Sequence, residues 1–343
     1  MTYFVKLSLP GNKGSVLHHL NYWIIKVAEL SNKSKIYISG HQGLVGAAIL
    51  RCLVSKGYDN LIFRTKSELD LTSREDVRIF FDREKPDYVI LAAAKVGGIA
   101  ANMAEPVEFL VQNLEIQNNV LLACSKFQVK KTLFLGSSCI YPREARQPMR
   151  ESDFMSGPCE PTNESYAVAK IAGIRLSQAL RQEYKLNVIC PIPCNVYGPG
   201  DHFDFERSHV ISALVRRFIE AKRNNAPRIT LWGTGSARRE FLHVDDLAEA
   251  CLFLLKHYNS PEIINVGSGF DLTISELAEK VSNIVEYNGG LDWDVTKPDG
   301  MPRKLLDVSR LNKLGWRHKI DLDKGIRSVV KDFESIFPHR KEN

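Results

Sequence analysis

Apolar and polar positions along this chain fall into alternating short and long blocks. The β-branched and aromatic run Ile36-Tyr37-Ile38-Ser39 stops at Gly40, and a helix-like stretch over 47–56 follows before Gly57. The unit then recurs, with strands over 61–63, 88–91, 132–135 and 188–190 separated by helix-period stretches over 73–84, 107–127 and 164–184. These strands are apolar nearly throughout, as strands are when both sheet faces are covered. The pattern therefore predicts an α/β fold, a doubly wound parallel sheet. Past Asn195 it loosens into Gly-, Pro- and Asp-rich loops between helices near 209–223, 245–256 and 274–286. A smaller α+β lobe is expected there, closing over the carboxyl ends of the parallel strands, where open α/β sheets bind ligands. The expected division is a nucleotide-binding domain over 35–195 and a substrate lobe over 196–343, with a strand at 263–266 a candidate to rejoin the main sheet.

Composition narrows the class. The net charge of +6 over 343 residues is mild and has no basic block or interleaved aromatic run, which speaks against nucleic acid as a partner. Seven Cys at irregular positions, without CxxC or metal-ligand spacing, predict free thiols, no metal site and a cytoplasmic enzyme. Residues 1–34 precede the first convincing strand. Their apolar positions are interrupted by His18, His19, Asn21 and Lys26, so neither a membrane span nor a secretory signal is expected; a short amphipathic helix or a poorly ordered extension is.

Between the first strand and the first helix stands a GxxGxxG: Gly40, His41, Gln42, Gly43, Leu44, Val45 and Gly46. Glycines here permit a tight turn and close backbone approach to a pyrophosphate resting on the helix N-terminus, so the loop predicts a dinucleotide cofactor. The second strand runs into Arg64 and Lys66, with no Asp or Glu for a ribose 2′-hydroxyl, which favours the 2′-phosphate of NADP(H). Asp70 and Leu71 follow, to reach the adenine or, for Asp70, to cap the next helix. Farther on, Tyr166 and Lys170 lie one helical turn apart, a spacing that would let the ammonium draw the phenol toward ionisation. Ser137 and Cys139 lie at the end of the fourth strand, on the edge that carries the glycine loop. There a Ser hydroxyl beside Tyr166 can stabilise an alkoxide as hydride arrives.

The stretches AAAKVGGI (92–99), LGSSCIYP (135–142), EPTNE (160–164), AKIAGI (169–174), SHV (208–210), REFLHVDD (239–246) and KPDGMPRKLLD (297–307) carry a resemblance. The chain resembles the extended short-chain dehydrogenase/reductase superfamily, with its Rossmann sheet, and within it the epimerase-reductases of GDP-linked sugars. The resemblance covers the chain from Lys35 nearly to the C-terminus. It implies a homodimeric enzyme that inverts C3 and C5 of GDP-4-keto-6-deoxy-D-mannose and then reduces the C4 ketone with NADPH. A ketone acidifies both neighbouring carbons, so one acid/base pair serves both inversions. By the same resemblance that pair is Cys139 and His209, while Lys170, Asn195 and His209 join the cofactor-binding set. Arg217, Trp232, Arg239 and Asp299 are implied to contact the nucleotide sugar, with core packing the alternative for Trp232. The chain departs from the family pattern at Gln42, at Pro193-Cys194-Asn195 and at 202–205. Gln42 removes one candidate charge for the 2′-phosphate, and the altered loop leaves room for another GDP sugar, such as a heptose; Cys139 and His209 speak against reduction alone, and a catalytically silent dinucleotide sensor is the rival from another class.

Overall fold

The computed structural model describes residues 30–204, 208–297 and 299–338. The expected N-terminal helix or extension falls almost wholly outside the described residues, as does Phe205. From Lys35 the chain builds β1 (Ile36–Ser39), α1 (Leu44–Ser55), β2 (Leu61–Ile62), α2 (Arg74–Glu84), β3 (Tyr88–Leu91), α3 (Ile99–Ala104), α4 (Pro106–Lys126), β4 (Lys131–Phe134), α5 (Glu164–Tyr184), β5 (Val188–Ile189) and β6 (Pro191–Pro193). The first five strands form one parallel sheet in the order β2-β1-β3-β4-β5. The chain leaves β1 on one side to reach β2 and returns across it to β3. That reversal opens a crevice at the carboxyl ends of β1 and β3, the switch point of a doubly wound sheet.

The remaining chain is β7 (Asn195–Tyr197), α6 (Val210–Arg223), β8 (Arg228–Trp232), β9 (Arg238–His243), α7 (Val244–His257), β10 (Ile264–Val266), β11 (Asp271–Thr273), α8 (Ile274–Val285), β12 (Gly290–Asp294), β13 (Arg303–Lys304), α9 (Ser309–Lys313) and α10 (Leu322–Ile336). Two apolar cores result. The larger joins the parallel sheet to α1, α2, α4 and α5, and also takes in Leu247 to Leu255 of α7, Ile264 and Val266 of β10, and Leu311. The smaller gathers Ile211, Val215 and Phe218 of α6, Leu277 and Val281 of α8, and Val329 and Phe333 of α10. β10 pairs in parallel with β6, which continues the line of β5 after Cys190.

The clearest correction to the expected elements is at α1, which begins at Leu44 and not at 47. Gly46 therefore sits inside the first turn of the helix. A Cβ there would lie 2.0 Å from the Gly40 carbonyl oxygen, so only glycine lets α1 press onto the loop. Gly40 itself has φ +76°, and its own Cβ would meet Ala93 N at 2.8 Å.

Candidate active site

One cavity of about 820 Å³ runs along the carboxyl edge of the sheet, from the glycine loop to Lys304. At its nucleotide end are all seven residues from Gly40 to Gly46, together with Arg64, Lys66, Asp70 and Leu71. The N-terminus of α1 opens into this space with Gly43 as N-cap, no side-chain capping bond and no acidic residue in its first turn. Its N–H groups and positive dipole end thus meet no anion of the protein's own, and the Nδ1 of His41 is buried without a partner. Such a cradle fits a pyrophosphate. Arg64 shares its charge with Glu84 at 3.0 Å, whereas Lys66, like Gln42, lines the cavity as an exposed residue. Asp70 does not cap α2. Its carboxylate takes the N–H and hydroxyl of Thr72 at 2.9 and 2.8 Å, and Ser73 is the N-cap. Leu71 is fixed through its carbonyl, which accepts from Asn119 of α4 at 3.0 Å.

Where β4 ends, Ser137 caps a 3-10 turn over Ser138–Ile140, its hydroxyl accepting the N–H of Cys139 at 3.3 Å. Tyr166 and Lys170 of α5 face the same space. The ammonium of Lys170 donates to the Leu135 carbonyl at 2.9 Å and lies 5.8 Å from the centre of the Tyr166 ring. Burial pulls its pKa down to about 8. The expectation that Lys170 draws the phenol toward ionisation is not met: burial and the nearby Cys139 push Tyr166 well above the usual phenol range, against a hydrogen bond with Ser137 that acts downward. Tyr166 accordingly holds its proton. Asn195 lines the cavity too, its amide donating to the Glu240 carbonyl on β9 at 3.1 Å.

Cys139 has the most unusual surroundings. Asn163 Nδ2 lies 3.1 Å from its sulfur and Lys304 Nζ 3.4 Å. Burial acts to raise the thiol pKa, but the Lys304 charge and hydrogen bonds from Ser137, Lys304 and Asn163 outweigh it and hold the thiol below its ordinary value. Asn163 is the N-cap of α5, a place where Asn ordinarily bonds the helix, yet it makes no side-chain cap because its amide is turned to the sulfur. Lys304 arrives from far along the chain because β13 pairs with β9 and Leu305 is bonded to Gln147 and Met149. His209, on the same cavity, is raised above the usual imidazole range by its bond with Asp201, against desolvation.

Of the four residues expected at the nucleotide sugar, only Arg239 reaches the cavity wall. Its guanidinium donates to the Arg238 and Asp299 carbonyls at 2.9 and 3.1 Å. The Asp299 carboxylate holds Thr234 N–H at 2.8 Å and its hydroxyl at 2.7 Å, and so shapes the turn after β8. Trp232 is 58% exposed, which rules out core packing. The cations of Arg217 and Lys297 lie 6.0 and 5.5 Å from the centre of its ring.

Residues 36–267 match the NAD dependent epimerase/dehydratase family. The chain belongs to this family. It is 57% identical over 302 residues to a putative GDP-L-fucose synthase 2 of Arabidopsis thaliana, covering 88% of this chain and 92% of the relative. Among solved structures, a GDP-6-OMe-4-keto-L-xylo-heptose reductase from C. jejuni is similar at TM-score 0.86 and 34% identity, over 90% of this chain and 99% of that one. A GDP-L-fucose synthetase from Naegleria fowleri bound to NADP is similar at TM-score 0.82 and 26% identity, over 91% and 98%. As a member of the epimerase/dehydratase family, the chain is an oxidoreductase and epimerase that works with a nicotinamide cofactor.

Three residues that the sequence reading did not single out complete this family member's site. Lys304 and Asn163 lay within the quoted stretches 297–307 and 160–164, yet nothing in their spacing pointed to Cys139. Asp201 lay next to the departing loop 202–205, whose Phe203 proves to be buried against Phe333 of α10, at 5.0 Å between ring centres. No described helix is long and apolar enough to cross a membrane.

Proposed function

We propose that this chain is a GDP-L-fucose synthase: it inverts C3 and C5 of GDP-4-keto-6-deoxy-D-mannose and reduces the C4 ketone to give GDP-L-fucose. The observation that carries the reading is the thiol of Cys139, held between Lys304 and Asn163 in the cavity that also holds Ser137 and Tyr166. Reduction alone needs no activated thiol, whereas epimerisation next to a ketone needs a base of this kind. Cys139 as thiolate takes the proton from the carbon beside the ketone, and His209 returns one from the other side. Ser137 donates to the C4 oxygen of the enolate, and the protonated Tyr166 gives its proton to that oxygen once hydride has arrived at C4. Bound NADPH supplies the hydride. The N-terminus of α1 takes its pyrophosphate, and Lys66 and Arg64 its 2′-phosphate, Lys66 with the larger share because Glu84 already neutralises part of Arg64.

In this reading Arg217, Trp232, Arg239 and Asp299 form the nucleotide-sugar end, carried by the smaller lobe over 196–343. Trp232 offers an exposed face to the guanine and the arginines bind the diphosphate. The protein acts in the cytoplasm as a homodimer. Identity of 57% to a putative GDP-L-fucose synthase against 34% to a heptose reductase favours fucose over a heptose product. The test is to supply the purified chain with GDP-4-keto-6-deoxy-D-mannose and NADPH or NADH in parallel, following absorbance and identifying the product by NMR. NADPH oxidation with the L-fuco product is expected, and slower turnover with NADH. An unconverted ketone, or a product inverted at neither carbon, would refute the proposal.

A further inference from the structure

His209 is the N-cap of α6, yet its side chain makes no capping bond. Its Nδ1 lies instead 3.0 and 3.2 Å from the two carboxylate oxygens of Asp201. Asp201 is 6% exposed and accepts two further hydrogen bonds, from Ser212 Oγ at 2.6 Å and from the His202 N–H at 2.9 Å. Its loop is anchored on both sides: Gly200 N–H donates to Asp332 of α10 at 2.8 Å, and Phe203 packs on Phe333. Burial acts to raise the Asp201 carboxyl, but the bonds and charge of His209, with those of Ser212 and the His202 N–H, hold it below the usual range. Other charged groups on these elements include His202 and Asp204 in the loop, Arg216 of α6, which donates to the Phe203 carbonyl at 2.7 Å and pairs with Glu220, and Asp332 of α10. Asp201 dominates what His209 experiences.

We propose that Asp201 is a positioning residue: it accepts the hydrogen bond from His209 Nδ1–H, fixes the ring and its tautomer, and makes His209 the acid partner of the base Cys139. The inference rests on the reading of His209 as the epimerisation acid. With Nδ1–H committed to Asp201, the mobile proton is the one on Nε2. In one inversion the carbon–hydrogen bond beside the ketone breaks to Cys139, an enolate forms, and Nε2–H delivers a proton to the opposite face of that carbon. The pair ends as thiol and neutral imidazole, and proton exchange with solvent restores it. The two halves are matched, since Lys304 stabilises the negative sulfur and Asp201 the positive ring.

Titration of the His209 ring by NMR on the full-length protein, assigned with His209→Gln, reads this inference without turnover. His209 should titrate above the ordinary imidazole value of about 6.5, with the proton of its neutral form on Nδ1. In Asp201→Asn the midpoint should fall by about one pH unit, and Asp201→Glu should recover most of it. The activity follows the same sign: the acid is lost as pH rises through its pKa, so the basic limb of solvent-deuterium exchange into C3 and C5 should move to lower pH in Asp201→Asn. A wild-type midpoint at or below the ordinary value, or one that Asp201→Asn leaves in place, overturns the inference even if the enzyme makes the proposed product. The wild-type titration decides alone should Asp201→Asn not fold. A shifted midpoint with no exchange into the sugar refutes the proposed function instead.

Discussion

At the scale of single residues, the charge on Cys139 is a balance that one neighbour tips. The thiol loses solvation inside the cavity wall and regains stabilisation from Lys304 at 3.4 Å and Asn163 at 3.1 Å. Lys304→Met leaves the first effect and removes the larger part of the second. If the base is the thiolate, as proposed, it acts above its pKa, and the rising acid limb of C3 and C5 exchange should move to higher pH. At neutral pH the exchange rate should fall about tenfold for each unit the pKa climbs, a loss to be read from wash-in of deuterium without NADPH. Tyr166→Phe probes the other half of the site. A phenol held in its protonated form suits donation to the C4 oxygen, so its loss should slow NADPH oxidation about 100-fold or more while exchange persists. Equal loss of both would contradict this division of labour. Tyr166 and Lys170 were legible at i, i+4, but their electrostatic relation was not. The spacing puts both on one face of α5, and only packing shows that the ammonium is taken by the Leu135 carbonyl.

Among elements, the glycine loop and α1 act as one piece. A Cβ at Gly46 would meet backbone, the Gly40 carbonyl oxygen at 2.0 Å, and backbone cannot swing aside as a side chain can. Gly46→Ala should therefore destabilise the fold by about 1–3 kcal/mol and weaken NADPH binding, measured by denaturant unfolding and by fluorescence titration. An unchanged affinity would separate the loop from the cofactor. Of the first half, α1, α2, α4, α5 and β1 to β5 were legible because each keeps its period over most of its length, whereas the six-residue α3 and the three-residue β6 were not. β13 was not: it has two residues, Arg303 and Lys304, and exists only because β9 is there to pair with it. Yet that pairing is what carries Lys304 to Cys139.

For the whole molecule, the proposed acid/base groups reach the cavity from the two parts of the chain. Cys139 and Tyr166 stand on the parallel-sheet side, His209 at the head of α6. α4 and α5 pack together and expose Val107, Val111 and Leu122 of α4 and Val168 of α5. If this face forms the proposed homodimer, sedimentation should give a dimer, and Val111→Glu with Val168→Glu should give a folded monomer by burying charge where apolar surface met. A variant that stays dimeric would place the contact elsewhere. Cys139 and His209 entered through the family resemblance, while the sequence by itself determined the doubly wound sheet and singled out the glycine loop, Ser137, Tyr166 and Lys170. These are written in local period and in motifs at strand ends, where the chain's own geometry decides what faces where. Only the tertiary structure brought Lys304 and Asn163 to Cys139 and Asp201 to His209, because these neighbours act through space on groups that spacing along the chain does not link to them.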